Sequence, residues 1–545
     1  MNAILEHLIV LPVVVPLLTA AIMLFLPESA RRTRVTLALA SVSAQLLMSV
    51  ALLFLTSDAA HFIWPEGVGV YAMGNWNAPF GIVLVVDRLA AVMLALSSTV
   101  ALTTLTYSVA RWDRPGQPFH SLFQLLTMGV NGAFLTGDLF NLFVFFEVLL
   151  AASYGLVLRG TGTPRLRAGM HYIAVNLAAS FLFLIGVAMI YGMAGTLNMA
   201  DLAGRASALS GADRALFDAG AAILGVAFLV KAGSWPLNFW LPGTYSIAIA
   251  PVAAAFALMT KVGLYAILRL GTILQEDSTL AGALFYVGMA TLISATVAML
   301  AAKHLARLAS FSVLASMGIL LSAFGLRIEA LTGPILFYLV VSVLTTAAFF
   351  MLTGMTDRTR ITDPPVMPED DPAPRPPAYI SYGVRPPSVV QEDEEAGIAI
   401  PGAMAFLGLM FVCCALLVSG LPPLPGFVAK FALIRGALQA SGEQVTPATG
   451  VLVAAILVSG LTALIALSRV GMRLFWSAAA RVTPRLRVLE AAPVGVLILL
   501  CLALGAAADP VGRYLDSAAR SLHQPDTYIR AVLATRPRDA TAEKP

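Results

Sequence analysis

Residues 402–435 read GAMAFLGLMFVCCALLVSGLPPLPGFVAKFALIR. As one helix, those 34 residues would be about 50 Å long, too long for a single crossing of a bilayer core of about 30 Å. The centre, Ser419-Gly420-Leu421-Pro422-Pro423-Leu424-Pro425-Gly426, cannot continue a helix, because proline lacks the amide donor and clashes with the preceding turn. The stretch therefore reads as one apolar span broken in the middle, with Lys430 just past the break. A related pattern appears earlier: Lys231-Ala-Gly233-Ser-Trp235-Pro236, then Trp240-Leu-Pro242-Gly243. Two interrupted spans, one in each half of the chain and each carrying a lysine, point to a structural repeat with a working site near its breaks at Pro236, Pro242, Pro422, Pro423 and Pro425.

Composition agrees. Of 545 residues, 59% are hydrophobic and 12% charged, with a mean hydropathy of +0.85. That balance excludes a soluble globular domain. The chain reads as an all-α polytopic membrane protein with spans at 8–26, 33–56, 81–106, 119–137, 139–158, 168–192, 220–241, 247–270, 280–301, 304–325, 331–355, 402–435, 449–468 and 488–507. The N-terminus lacks a basic leader and is expected to be a retained first helix. With the N-terminus outside, the inward loops collect seventeen basic residues. They are Arg31, Arg32, Arg34, Arg111, Arg114, Arg159, Arg165, Arg167, Lys303, Arg307, Arg358, Arg360, Arg469, Arg473, Arg481, Arg485 and Arg487. The outward loops collect six before the tail: Arg88, Arg205, Arg214, Arg269, Arg327 and Arg435. This bias supports fourteen helices with both ends outside. Residues 57–80, with Trp64 and Trp76, read as an outer loop, and the tail from about 508 as a short amphipathic helix that then frays.

The chain divides into a three-helix segment (1–118), a first repeat of helices four to eight (119–270) and the first part of a second repeat (271–355). An acidic, proline-rich cytoplasmic loop follows (356–398), expected to be flexible because it cannot bury a core. The remainder of the second repeat (399–470) contains the broken helix, and a last helix with the tail (471–545) closes the chain.

Only five of the 34 basic residues are lysines, and Lys231, Lys261 and Lys430 lie inside spans. An ionisable side chain in a bilayer core is costly and persists where it lines a polar path or meets an opposite charge. Arginine does not readily give up its proton, whereas a desolvated lysine can. Lysines inside and arginines at the rim suit proton movement. Glu147 reads as the only carboxylate deep in a span, either protonated against a polar neighbour or paired with Lys231. Lys261 then has no carboxylate left and is expected to exchange protons. Lys430 either takes part in the same path or anchors statically to a broken-helix carbonyl. Asp138 is equally a helix cap and a gating residue, and Asp87-Arg88 reads as an interfacial pair. His7, His61, His120 and His523 carry no pattern, and His171 suggests only a polar contact. The chain shows no phosphate-binding loop, Ser-His-Asp set, metal-ligand spacing or cofactor motif.

Three motifs carry a resemblance. Asp138-Leu-Phe-Asn-Leu-Phe-Val-Phe-Phe-Glu147, Leu229-Val-Lys-Ala-Gly-Ser-Trp-Pro236 with Phe239-Trp-Leu-Pro242, and Gly420-Leu-Pro-Pro-Leu-Pro-Gly-Phe-Val-Ala-Lys430 resemble the antiporter-like subunits shared by complex I and the Mrp multisubunit cation/proton antiporters. The similarity covers roughly residues 80–470. Within it the chain looks most like the D subunit of the Mrp type, also called Pha, whose long acidic loop before the twelfth helix it shares. The resemblance implies fourteen helices in two inverted five-helix repeats. It also implies a Glu147–Lys231 pair, a central Lys261 and a distal Lys430 joined by water. The setting it implies is an assembly of several membrane subunits in a bacterial inner membrane, handling Na⁺ or K⁺ and protons and neither nucleic acid nor a cofactor.

This sequence departs from that pattern in three places. Gly243-Thr-Tyr follows Trp240-Leu-Pro242 where complex I subunits commonly carry Asp-Ala-His. Ser312-Val-Leu-Ala-Ser-Met-Gly318 lacks a histidine. Leu339-Val-Val-Ser-Val-Leu-Thr-Thr-Ala347 lacks the usual His and Lys. The hydroxyls of Ser312, Ser316, Ser342, Thr345 and Thr346, with water, are the expected substitutes. The expected function is proton translocation in a Na⁺ or K⁺/H⁺ antiporter. The alternatives are a pumping subunit of an NADH:quinone oxidoreductase or membrane-bound hydrogenase, or a stand-alone solute carrier.

Overall fold

The computed structural model describes residues 2–357 and 402–535, except 28, 61–62, 65, 114–117, 161, 275–277, 442–444 and 476–485. Of the expected acidic loop (356–398), Thr356 still belongs to a helix, and residues 358–398 lie outside the described residues. Two helices, α1 (Asn2–Phe25) and α2 (Arg31–Leu55), lead to a two-stranded antiparallel hairpin, β1 (Gly69–Ala72) and β2 (Val83–Val86), in which Gly69 pairs with Val86. Then come α3 (Arg88–Arg111), α4 (Phe119–Leu135), α5 (Leu139–Val157), α6 (Thr163–Ala194), α7 (Met199–Ala208), α8 (Gly211–Ala232), α9 (Trp240–Ile247) and α10 (Ala250–Ile273). The second half contains α11 (Ser278–Ala301), α12 (Leu305–Gly325), a 3-10 turn (Glu329–Leu331), α13 (Thr332–Thr356), α14 (Ala403–Ser419), α15 (Pro425–Ala440), α16 (Pro447–Phe475) and α17 (Val488–Ala506). Two tail helices follow, α18 (Ala508–His523) and α19 (Asp526–Leu533).

Twelve of the described helices are long and apolar enough to cross a membrane. The two other expected crossings are α4, 17 residues long, and the interrupted pair α14–α15. The most enclosed span is α10, which carries Lys261 and is wrapped by α3, α8, α12 and α13. Its Gly263 lets α8 approach closely, because a Cβ there would lie 2.9 Å from the carbonyl oxygen of Phe228.

Several expected boundaries move. The third span does not begin at 81, since 83–86 form the inner hairpin strand and helix starts only at Arg88. The seventh is α8 followed by a separate α9, rather than one run of 220–241. The tail carries two helices reaching Leu533, with α18 and α19 burying Leu515, Leu522, Tyr528 and Val532, so its ordered part is longer than the single short helix expected. The short α7 lies between the sixth and seventh expected spans.

Contacts sort the loops into two groups, as alternating crossings require. At one end, arginines cap helix C-terminal carbonyls, which have no partner within their own helix. Arg31 Nη2 donates to Val109 O (2.9 Å), Arg487 Nη1 to Ala110 O (2.7 Å), Arg165 Nη2 to Ile247 O (3.1 Å) and Arg469 Nη2 to Ala302 O (3.1 Å). These are loops expected to face inward on account of their basic residues. At the other end Leu84 bridges to Thr136, Asp138 to Asn198, Thr56 Oγ1 meets Tyr514 OH (2.9 Å), and Thr332 Oγ1 meets His523 Nε2 (2.8 Å).

Asp87 and Arg88 do not pair with each other. Asp87 caps α3 through Ala90 N (2.9 Å) and binds Arg269 with both oxygens, at 2.6 and 2.7 Å. Arg88 turns to Asp58 and to the Thr56 carbonyl (3.0 Å). Both Asp87 and Arg269 are buried, so the pair ties α3 to α10, and the Arg269 guanidinium also lies 5.2 Å from the centre of the Tyr528 ring on α19. In the α1–α4 bundle, buried amides satisfy one another: Asn131 Nδ2 donates to Gln45 Oε1 (3.0 Å) and Ser41 Oγ to Gln124 Oε1 (3.0 Å). Polar groups in a membrane interior require such internal partners.

Candidate functional site

Both breaks form where proline and glycine demand them. α8 ends at Gly233 in the left-handed conformation (φ 72°), and α14 ends at Gly420 likewise (φ 76°). Each break contains a cis X-Pro bond, Trp235–Pro236 and Pro422–Pro423. Pro242 falls inside the first turn of α9, and Pro425 opens α15. Freed backbone groups find partners: Trp240 Nε1 donates to Val230 O (3.3 Å) and Trp235 N to Thr291 Oγ1 (2.8 Å).

Lys231, on the last turn of α8, is buried, and its Nζ lies 3.9 Å from Glu147 Oε1. A serine completes the pair. Lys231 Nζ donates to Ser180 Oγ (3.2 Å), and the Ser180 hydroxyl has two acceptors within reach of its one hydrogen, Glu147 Oε1 and the Asn176 carbonyl (3.1 Å), of which the carboxylate is the nearer. The ammonium also lies 5.0 Å from the centre of the Phe146 ring, on the aromatic face that attracts cations. Ser180, on α6, gave no sign of this in the sequence, since it is one hydroxyl in an apolar run. Amine, hydroxyl and carboxylate form a directed relay in which the hydroxyl can accept a proton on one side and donate on the other.

Lys261, at mid-span of α10, has 1% of its surface exposed, and its Nζ donates to Ser316 Oγ (2.7 Å). The Ser316 hydroxyl donates to Val313 O (2.8 Å), which leaves a lone pair for the ammonium. Ser316 is one of the hydroxyls expected to stand in for the missing histidine. It lines a cavity of about 30 Å³, together with Ser312, Tyr338, Ser342, Thr345, Thr346, Ser459 and Lys430. A water needs about 10–15 Å³ on this measure, so the cavity holds about two.

Lys430 reaches the break. Its Nζ donates to the carbonyls of Val418 (2.9 Å) and Ser419 (3.0 Å), at the C-terminal end of α14, where carbonyls and the helix dipole favour positive charge. The anchoring geometry considered for Lys430 is thus present, and the same amine faces the cavity. A Cβ at Gly420 would sit 2.6 Å from Lys430 Cδ, so the break residue also makes room for the lysine stem.

Glu147 is only half-buried, and other carboxylates among the described residues are more enclosed. Glu490, in the first turn of α17, is fully buried 3.5 Å from Arg111 Nε. Asp113 sits between Arg31 (2.8 Å) and His120 (3.2 Å), which gives His120 a partner that sequence reading did not supply. Asp138 caps α5 by accepting from Asn141 N (2.8 Å). The His171 ring stacks on Phe239, with centres 5.3 Å apart.

The sequence and the fold are similar to those of known proteins. Residues 136–364 fit the family described as NADH:quinone oxidoreductase/Mrp antiporter, TM. The probable K(+)/H(+) antiporter D subunit of Rhizobium meliloti (strain 1021) is 48% identical over 542 residues, 97% of this chain and 98% of its own length. This chain belongs to the family of Mrp-type antiporter D subunits. The Na(+)/H(+) antiporter D subunit of Bacillus subtilis (strain 168) is 30% identical across 97% of this chain and 99% of its own. A chain in the structure of the Mrp complex from Dietzia sp. DQ12-45-1b superposes on this Mrp-type protein with a TM-score of 0.80 at 27% identity, covering 97% of this chain and 99% of that one. A chain of respiratory complex I from Thermus thermophilus shares the fold, with a TM-score of 0.72 at 20% identity over 96% and 99%.

Proposed function

We propose that this chain is the proton-translocating membrane subunit of a multisubunit antiporter in a bacterial inner membrane. It would exchange Na⁺ or K⁺ for protons and would act as part of a transporter, not as an enzyme. The observation that carries the reading is the row of three buried ammonium groups, each resting on oxygen: Lys231 on Ser180 and Glu147, Lys261 on Ser316, and Lys430 on two break carbonyls. Glu147 biases Lys231 electrostatically. Loosening of that pair changes the field on Lys261, whose helix crosses α8 at Gly263, and Lys261 then trades its proton through Ser316 and the cavity with Lys430.

The multisubunit setting has a physical reason within the chain. Glu147 keeps 34% of its side chain exposed. It shares that flank of α5 with Phe140 and Val144, which are 48% and 39% exposed. A partly exposed carboxylate beside such a stripe is costly against lipid, so a second membrane protein belongs over this flank. The test is cation/proton exchange by vesicles containing the whole assembly. Glu147→Ala and Lys231→Ala are each expected to abolish exchange, and normal exchange by either would refute the mechanism.

A further inference from the structure

The cavity between Lys261 and Lys430 has a chemical bias that its residue names do not convey. Five of its hydroxyls spend their single hydrogen on a carbonyl of their own helix. Ser312 donates to Leu308 O (2.9 Å), Ser316 to Val313 O (2.8 Å), Ser342 to Leu339 O (2.9 Å), Thr346 to Ser342 O (2.7 Å) and Ser459 to Ile456 O (2.8 Å). A hydroxyl has one hydrogen and two lone pairs, so each offers the cavity only acceptor oxygen. Beside them are the Val418 and Ser419 carbonyls at the end of α14. Uncharged carbonyl and hydroxyl oxygens around a small space are hard ligands, and unwound carbonyls at a half-helix end are where membrane transporters hold alkali cations. The positive group present is the Lys430 ammonium.

We propose that this oxygen cradle is a monovalent-cation site and that the Lys430 ammonium is its competing occupant. Protonated Lys430 fills the positive position at the two carbonyls and excludes a second cation. When the ammonium gives up one proton through cavity water and that proton leaves the site, the neutral amine no longer balances the carbonyl field. One Na⁺ or K⁺ then enters, so the charge of the site is restored one for one. Among the described residues no carboxylate lines the cavity, which leaves the lysine's proton as the charge that decides occupancy. Titratable side chains on the surrounding elements are Tyr338 on α13, Cys414 on α14, Cys501 on α17, 3.9 Å from Thr345 Oγ1, and Lys261 behind Ser316. Glu329 lies on the 3-10 turn against α15. A second pocket of about 430 Å³ is lined by Thr272, Arg327, Glu329, Thr332, Ile335 and His523, and its Ile335 lies one turn along α13 from Tyr338 of the cavity.

This inference rests on the proposed antiport function, and the experiment separates the two. Radioactive rubidium and sodium are bound to the purified whole complex across a pH series, and exchange is measured in vesicles of the same complex. One-for-one competition predicts that apparent affinity falls about tenfold per pH unit on the acid side. Lys430→Met is expected to remove that slope while binding persists. Ser342→Ala combined with Thr346→Val, mild changes in a complex that assembles, is expected to weaken binding about five- to tenfold with the slope retained. An unchanged slope in Lys430→Met, or unchanged affinity in the hydroxyl variant, overturns the cradle. If Lys430→Met loses exchange while the slope persists, the antiport function stands and the cradle falls. If Lys430→Met exchanges normally, antiport stands while the cradle and the place of Lys430 in the proton path both fall.

Discussion

Removing the Ser180 hydroxyl isolates the part of the Glu147–Lys231 coupling that the bridge carries. At the observed 3.9 Å, two unit charges attract by about 4 kcal/mol at an effective dielectric of about 20. The partial exposure of Glu147 reduces that to about 2–3 kcal/mol. The hydroxyl adds a hydrogen bond to each charged partner, of which about 2 kcal/mol is lost when the bridge goes. Ser180→Ala keeps both charges and most of the packing, so the expected loss in exchange rate by the whole assembly is about thirtyfold, taking about 1.4 kcal/mol per tenfold. Glu147→Gln removes the charge as well and should cost more. Ser180→Thr keeps a hydroxyl and should recover most of the rate. The assay is initial exchange rate in vesicles, with complex assembly checked by gel filtration. If Ser180→Ala exchanges at the normal rate, the relay through the hydroxyl is wrong, and the two charges communicate directly or not at all.

Lys261→Arg should abolish exchange while the complex still assembles, because a guanidinium holds its proton. Activity in that variant would show that Lys261 need not deprotonate. Gly420→Ala places a methyl 2.6 Å from Lys430 Cδ at a backbone φ of 76°, so it should lower the melting temperature and disturb exchange, at a cost of about 1–3 kcal/mol. Asp87→Ala should destabilise by about 3–5 kcal/mol because it strands buried Arg269, and Asp87→Ala with Arg269→Met should recover part of that in thermal unfolding. The imidazole of His523, outside the spans, is held below its usual range by burial, a shift that Glu329 opposes. A histidine that prefers to be neutral when docked stabilises fully above its unfolded value of about 6.5 and loses that contribution as pH falls below it. Protection factors of the α18 amides, corrected for the intrinsic pH dependence of exchange, should therefore fall below about pH 6.5, and His523→Gln should flatten the dependence.

How much of this was legible depended on range along the chain. The membrane class followed from composition, and the positions of the breaks from proline and glycine, whose backbone limits are local. The lysines stood out because burying a charge is costly whatever the partner. The exchange of Asp87 from its neighbour Arg88 to Arg269, 182 residues away, had no local signal. Neither did the hairpin between the second and third spans, which pairs Gly69 with Val86 across a polar loop.

By itself, the sequence determined that the chain crosses a membrane many times, that two of its helices break, and that three amines and a carboxylate lie within the spans. Those conclusions rest on solvation and on single-residue dihedral limits. Which oxygen each amine meets was decided by tertiary structure alone. Ser180 lies 51 residues from Lys231, Ser316 lies 55 from Lys261, and the Lys430 carbonyls belong to the helix across the break. Hydroxyls in apolar helices look alike in sequence, and only the crossing of those helices brings one of them within hydrogen-bonding reach of a charge.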